Sequence, residues 1–264
     1  MAHEQTTTAA DGTTIAWSRQ GSGDPVVLVH GITESAASWD PVVERLATTN
    51  EVISLDLRGH GESGTADAYD LAAMVGDVAA VVAAADAERP HLVGHSLGGA
   101  VVSAAGPALQ PASVTSIDQS LQLGEFKAQV VAAEPILRDP DNYGLAVDAM
   151  FEQMTGTQLS EAEKTRVNSM RNARQEVLLG VWGLLLEEPQ AAVEATVDAV
   201  LSGYRDVEVP YLAVFGIDPG DGYADWLRGY TPAEYELWDG AGHYPHLVDP
   251  DRFVDRLRQF WTSG

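Results

Sequence analysis

Ser96 stands between two glycines in Leu92-Val93-Gly94-His95-Ser96-Leu97-Gly98-Gly99-Ala100, where an apolar run gives way to an alanine-rich one. The pattern Gly-x-Ser-x-Gly forms a sharp turn when a strand precedes it and a helix follows. Pro90 to Val93 reads as a short buried strand and Ala100 to Ala105 as the start of a helix, so both conditions are met. The glycines are needed because a Cβ on either side of so tight a turn would strike the neighbouring strand or helix. Such a turn holds the serine oxygen clear of the sheet. It also leaves the backbone N–H of Leu97 at a helix N-terminus, able to stabilise an oxyanion.

A serine hydroxyl is a poor nucleophile until a base takes its proton. His243, in Asp239-Gly240-Ala241-Gly242-His243-Tyr244-Pro245, directly follows the last strand pattern and is the candidate base. A third group must hold that imidazole in the right tautomer. Asp218, in Phe215-Gly216-Ile217-Asp218, is the first candidate. Asp118, which ends an earlier strand, is the second, and Asp221 shares the Asp218 loop. The expected order is Ser96, Asp218, His243. Serine, histidine and aspartate so arranged perform acyl transfer through an acyl-enzyme that water then resolves.

The elements that must position these residues can be read from periodicity. Strand patterns run over 13–18, 26–30, 52–56, 91–94, 114–118, 211–215 and 235–238, bounded by glycine, proline or polar turns. Helical patterns lie between most of them, at 39–47, 71–85 and 99–109, with a last one over 250–261 capped by Asp249 ahead of Pro250. Alternating strands and helices imply a mainly parallel sheet covered on both faces, which places ligands at the carboxyl ends of its strands. The alternation breaks between about 119 and 206, where only helical patterns appear. One of them opens on the capping box Ser160-Glu161-Ala162-Glu163. The expected organisation is therefore a core of residues 1–118 and 207–264 with a helical cap inserted at 119–206.

Composition narrows the function classes. The chain has 264 residues, of which 45% are hydrophobic and 20% charged, ordinary for one globular domain. Its 39 acidic residues against 15 basic ones give a formal charge of −24, and Lys127 and Lys164 are its two lysines. So acidic a surface would repel a phosphate backbone, so no nucleic-acid partner is expected. No apolar stretch is long enough to span a bilayer, and residues 1–8 lack a basic start and apolar run, so no membrane association and a cytoplasmic location are expected. Cysteine is absent, which removes disulfides and thiolate chemistry together. His91 and His95 lie across a strand and turn rather than on one helix face. The 218–222 loop lacks oxygen ligands at its third and fifth positions, so no metal is expected either.

Taken in order, these motifs resemble the α/β-hydrolase superfamily, in its serine-nucleophile branch. His30-Gly31-Ile32-Thr33 resembles the family's oxyanion turn, whose second donor would be the N–H of Ile32. Asp56-Leu57-Arg58-Gly59-His60-Gly61-Glu62-Ser63 resembles the loop after its fourth strand. Pro210 to Asp218 resembles the acid-bearing strand, although some members supply the acid from the strand ending here at Asp118. The resemblance implies a cofactor-free hydrolase of carboxylic esters or lactones, small to medium and apolar, and the family's other serine-bearing chemistries include carbon–carbon bond hydrolysis, perhydrolase-type haloperoxidation and hydroxynitrile cleavage. It argues against epoxide opening and halide removal, where an aspartate replaces the serine. A reading from another class is a small-molecule receptor that keeps the three residues. His95, Phe126, Met150, Met154 and Trp182 are the candidate substrate-binding residues, with Phe151 and Leu178 beside them. Glu34 reads as a solvated loop carboxylate, with a place in the cleft beside the oxyanion turn as the alternative. Oligomeric state is left open.

Overall fold

The computed structural model describes residues 5–262; the first four residues, part of the amino-terminal stretch read above, lie outside the described residues. Eight strands form one sheet: β1 (Gln5–Thr8), β2 (Thr14–Gly21), β3 (Pro25–Val29), β4 (Glu51–Leu55), β5 (His91–His95), β6 (Ser113–Ile117), β7 (Tyr211–Phe215) and β8 (Ala233–Leu237). Their spatial order is β1-β2-β4-β3-β5-β6-β7-β8. β2 runs antiparallel to both its neighbours, β1 and β4, and every other neighbouring pair is parallel. The seven strands expected from sequence are all present. β1 was not expected, because Gln-Thr-Thr-Thr has no apolar alternation and only its pairing with β2 makes it a strand.

The central strands are apolar on both faces, as parallel strands under two helical layers must be. Val27 and Val29 of β3 point into one core with Ile53, Leu55 and Leu92, covered by α2 (Leu71–Ala84) and α3 (Leu97–Leu109). Val26 and Leu28 point into the other with Val52, Val93, Leu212 and Val214, covered by α1 (Asp40–Leu46) and α12 (Pro250–Thr262). The cap on the last helix works as its sequence implies: Asp249 Oδ1 accepts from the N–H of Arg252 at 3.0 Å.

Between β6 and β7 the chain forms α4 (Gly124–Leu137), α5 (Tyr143–Met154), α6 (Glu161–Met170), α7 (Gln175–Val181), α8 (Gly183–Glu187) and α9 (Gln190–Ser202). Ser160 Oγ accepts from the N–H of Glu163 at 3.2 Å, while the Glu163 carboxylate turns to Arg166, so the capping box is half made. These helices carry their own apolar cluster, including Val130, Val147, Phe151, Leu178 and Trp182, and it closes on Ile32 at the end of the sheet. Two short helices, α10 (Tyr223–Arg228) and α11 (Pro245–Val248), flank β8. Among the described residues no helix is long and apolar enough to cross a membrane.

Candidate active site

The turn after β5 has the conformation its glycines permit. Ser96 has φ 52° and ψ −123°, a strained conformation that persists only where its surroundings enforce it. A Cβ at Gly94 would lie 2.1 Å from the carbonyl oxygen of Gly98, and one at Gly98 would lie 2.1 Å from that of Val29. The strand and helix therefore meet backbone to backbone around the serine. Leu97 is the first residue of α3, and Ile32 sits in the turn after β3. A Cβ at Gly31, its neighbour, would come within 3.2 Å of Ser96 Cβ, so that turn lies against the serine.

His243 lies on the loop after β8, with 5% of its surface exposed. Its Nδ1 is 2.6 Å from Asp118 Oδ2, which makes Nδ1 the protonated nitrogen and leaves Nε2 as the basic one. Nε2 is buried without a hydrogen-bond partner among the described residues, and His243 lines the same cavity as Ser96. Burial pushes the imidazole below its ordinary value of 6.5, against the opposing pull of Asp118. The loop itself is wedged: a Cβ at Gly216 would lie 2.0 Å from the carbonyl oxygen of Gly242, and Gly242 also packs on Gly156 at the end of α5.

The expectation that Asp218 orients His243 is overturned, as is that for its loop neighbour Asp221. Asp218 is exposed, and its Oδ1 accepts only the N–H of Gly220, closing a local turn. The end of β7 serves another purpose. Its Gly216 and Ile217 N–H groups donate to Asp118 Oδ1 at 2.8 and 2.9 Å, so that carboxylate is gripped from one side and presented to the histidine on the other. Asp118 reaches this position from the end of β6 with φ 47°.

A cavity of about 810 Å³ opens above Ser96. Phe126, Met150, Met154 and Trp182 line it, together with Phe151, whereas Leu178 packs inside the helical cluster. Val147, Val193, Phe215, Trp226 and Tyr230 complete an apolar wall; the last two come from a short helix beside β8 and the turn that ends it, which sequence patterns gave no reason to associate with the site. Among the described residues no lysine or arginine lines the cavity.

His95 does not belong to this lining. It is 1% exposed and its Nε2 donates to the carbonyl oxygen of His243 at 2.8 Å, so the expected substrate contact is corrected to a contact behind the site. Glu34 is not a solvated loop carboxylate: it is 2% exposed, because its side chain folds under the turn at Gly31 instead of into solvent. The other described histidines are packed. His30 takes the N–H of Leu57 on Nε2, His60 bonds the Arg58 carbonyl, His91 stacks on Trp261, and His246 lies between Trp39 and His95.

The sheet thus gathers Ser96, Asp118 and His243 at the carboxyl ends of its strands. The profile of the alpha/beta hydrolase family matches residues 26–256, and the chain belongs to that family. It is 36% identical to a pimeloyl-acyl-carrier-protein methyl ester esterase of Aliivibrio salmonicida, over 94% of this chain and 96% of the relative. Among solved structures, an esterase from a Rhodococcus species covers 100% of this chain and 99% of its own, with TM-score 0.75 and 26% identity. A thermophilic esterase from Thermogutta terrifontis shares the fold at TM-score 0.76 and 23% identity, over 98% of each chain. The chain is thus an enzyme of the hydrolase class.

Proposed function

We propose that this hydrolase is a serine esterase that cleaves uncharged, largely apolar carboxylic esters or lactones through an acyl-enzyme. The observation that carries the reading is His243 held at 2.6 Å by Asp118 while its free Nε2 shares a cavity with a strained, glycine-flanked serine. Ser96 Oγ attacks the ester carbonyl as His243 Nε2 takes its proton, and Asp118 stabilises the imidazolium that forms. The backbone N–H groups of Ile32 and Leu97 receive the oxyanion; each such donor is typically worth about 10²–10³ in rate. His243 returns the proton to the departing alkoxide, and water admitted in its place hydrolyses the acyl-enzyme by the same steps in reverse roles.

The helices over 124–202 act as a cap in this reading. Phe126, Met150, Phe151, Met154 and Trp182 bind the apolar part of the substrate by burying it. Glu125, Glu194 and Asp198 stand on the wall, and with no lysine or arginine opposite them among the described residues an anionic substrate is disfavoured. The ester-cleaving relatives reported above support the class of bond. The test is release of p-nitrophenol from short and medium acyl esters by the wild type, Ser96→Ala and His243→Ala. Each variant is expected to lose at least about 10³-fold in kcat. Equal turnover by wild type and Ser96→Ala would refute the reading.

A further inference from the structure

Behind the reacting face lies a buried glutamate–histidine pair that the steps above do not use. We infer that Glu34 and His95 are positioning residues which together fix the main chain of His243 and the turn bearing Ile32 relative to Ser96. The inference rests on the serine-esterase reading and adds residues to it.

His95 Nε2 donates to the carbonyl oxygen of His243 at 2.8 Å, so that nitrogen carries a proton. Its Nδ1 stands 3.5 Å from Glu34 Oε2, and the same oxygen accepts the N–H of Gly31 at 3.4 Å. Both side chains are 1% exposed. A Cβ at Gly31 would lie 3.1 Å from His95 Nδ1, 3.2 Å from Ser96 Cβ and 3.4 Å from the Glu34 carboxyl carbon, so turn, nucleophile and the Glu34–His95 pair converge on one point without spare room. The N–H of His243 donates in turn to the carbonyl oxygen of Met154, at the end of α5, at 2.8 Å. The base is therefore held at its N–H by the helical segment, at its C=O by His95 and at its ring by Asp118. Because His95 directly precedes Ser96, the strand that carries the nucleophile also carries the clamp on the base.

A buried carboxylate is costly unless a partner compensates it. Burial alone would push the Glu34 carboxyl up, but His95, with His30 and His243 further off, holds it below the ordinary carboxylate range. The further titratable groups facing the pair are His246, Tyr244 and His60, with Arg171 bonded to the Tyr244 hydroxyl and Arg166 near His246. Glu34 thus keeps its charge where an apolar residue would pack, and that charge faces the ring that holds His243.

The test compares His95→Phe, which keeps a ring and removes the donor, with His95→Gln, whose amide N–H can reach the same carbonyl, and with the near-isosteric Glu34→Gln. On a p-nitrophenyl ester, His95→Phe is expected to lose about 10–10²-fold in kcat with KM within about twofold, since misplacement of reacting groups costs this much. His95→Gln should recover most of the loss. Glu34→Gln should fall between the two, and adding it to His95→Phe should cost little more. Long-range ¹H–¹⁵N spectra of the histidine rings supply a readout that needs no turnover. His243 should show the Nδ1–H tautomer in the wild type and His95→Gln, and averaged ring nitrogens in His95→Phe. Wild-type kcat and ring shifts in a folded His95→Phe would overturn the inference, as would His95→Gln performing no better than His95→Phe. If His95→Phe does not fold, unchanged kcat and ring shifts in both Glu34→Gln and His95→Gln overturn it, and a graded loss in Glu34→Gln supports it. Turnover that survives Ser96→Ala would sink the esterase reading instead, and the ring spectra would still decide the positioning.

Discussion

At the scale of single residues, the consequential difference lies between two aspartates that look alike in sequence. Asp118 receives two backbone N–H groups and the His243 ring, whereas Asp218 closes an exposed turn. Asp118→Asn keeps the shape but offers an amide where Nδ1–H needs an acceptor, which favours the wrong tautomer; a loss of about 10³-fold in kcat is expected. Asp218→Asn should stay within about twofold, the range of an exposed substitution away from special contacts. Steady-state kinetics of the two variants side by side decide the matter, and the reverse ranking would restore Asp218 as the acid. Ser96 and His243 were legible because glycines and strand ends mark them locally. The acid was not, because both aspartates end or follow a strand, and the choice depends on which N–H groups converge on it from another strand.

At the scale of elements, the loop after β4 shows how the sheet end is held open for the site. Arg58 sits in that loop with its side chain 2% exposed, and its Nη2 lies 2.7 Å from Asp77 of the fully buried face of α2. Asp11 takes its Nη1 at 2.6 Å from a half-exposed position, and the Ala68 carbonyl takes the same nitrogen at 3.1 Å. Asp77→Ala would leave a buried guanidinium short of its main partner, at a cost of about 3–5 kcal/mol. Asp11→Ala removes a more exposed, solvent-screened partner and should cost distinctly less than Asp77→Ala. Urea unfolding of both variants checks the ranking; equal losses would show that the pair with α2 is not what fixes the loop. Sequence gave this loop by resemblance alone. Its anchor lies 19 residues away on a helix face, a contact no local pattern contains.

At the scale of the whole molecule, buried histidines set the response to acid. Burial pushes His60 from 6.5 down to about 3, pushes His91 down to about 4, and lowers His243 and His246 as well. These groups have depressed values in the folded chain, so below pH 6.5 the unfolded chain binds protons that the folded one refuses. Stability therefore falls as pH falls. Each fully buried imidazole contributes about 1 kcal/mol of loss one unit below its unfolded value. Calorimetry between pH 7.5 and 5.5 should show Tm dropping steadily, before the ordinary carboxylates begin to titrate. A flat or rising Tm over that interval would contradict the burial described here.

By itself the sequence determined the alternation of strands and helices, the serine turn, the histidine loop and the interruption by helices, because each is written in neighbouring residues through periodicity and steric demand. Tertiary structure decided what depends on distant chain segments meeting. It paired Asp118 rather than Asp218 with His243, moved His95 from the cavity to the back of the base, and buried Glu34 beneath the turn at Gly31. It also brought Trp226 and Tyr230 to the cavity wall. The physical reason is common to all four. A residue's type and its neighbours fix its local conformation, but its partners are set by which strand ends the sheet order brings side by side.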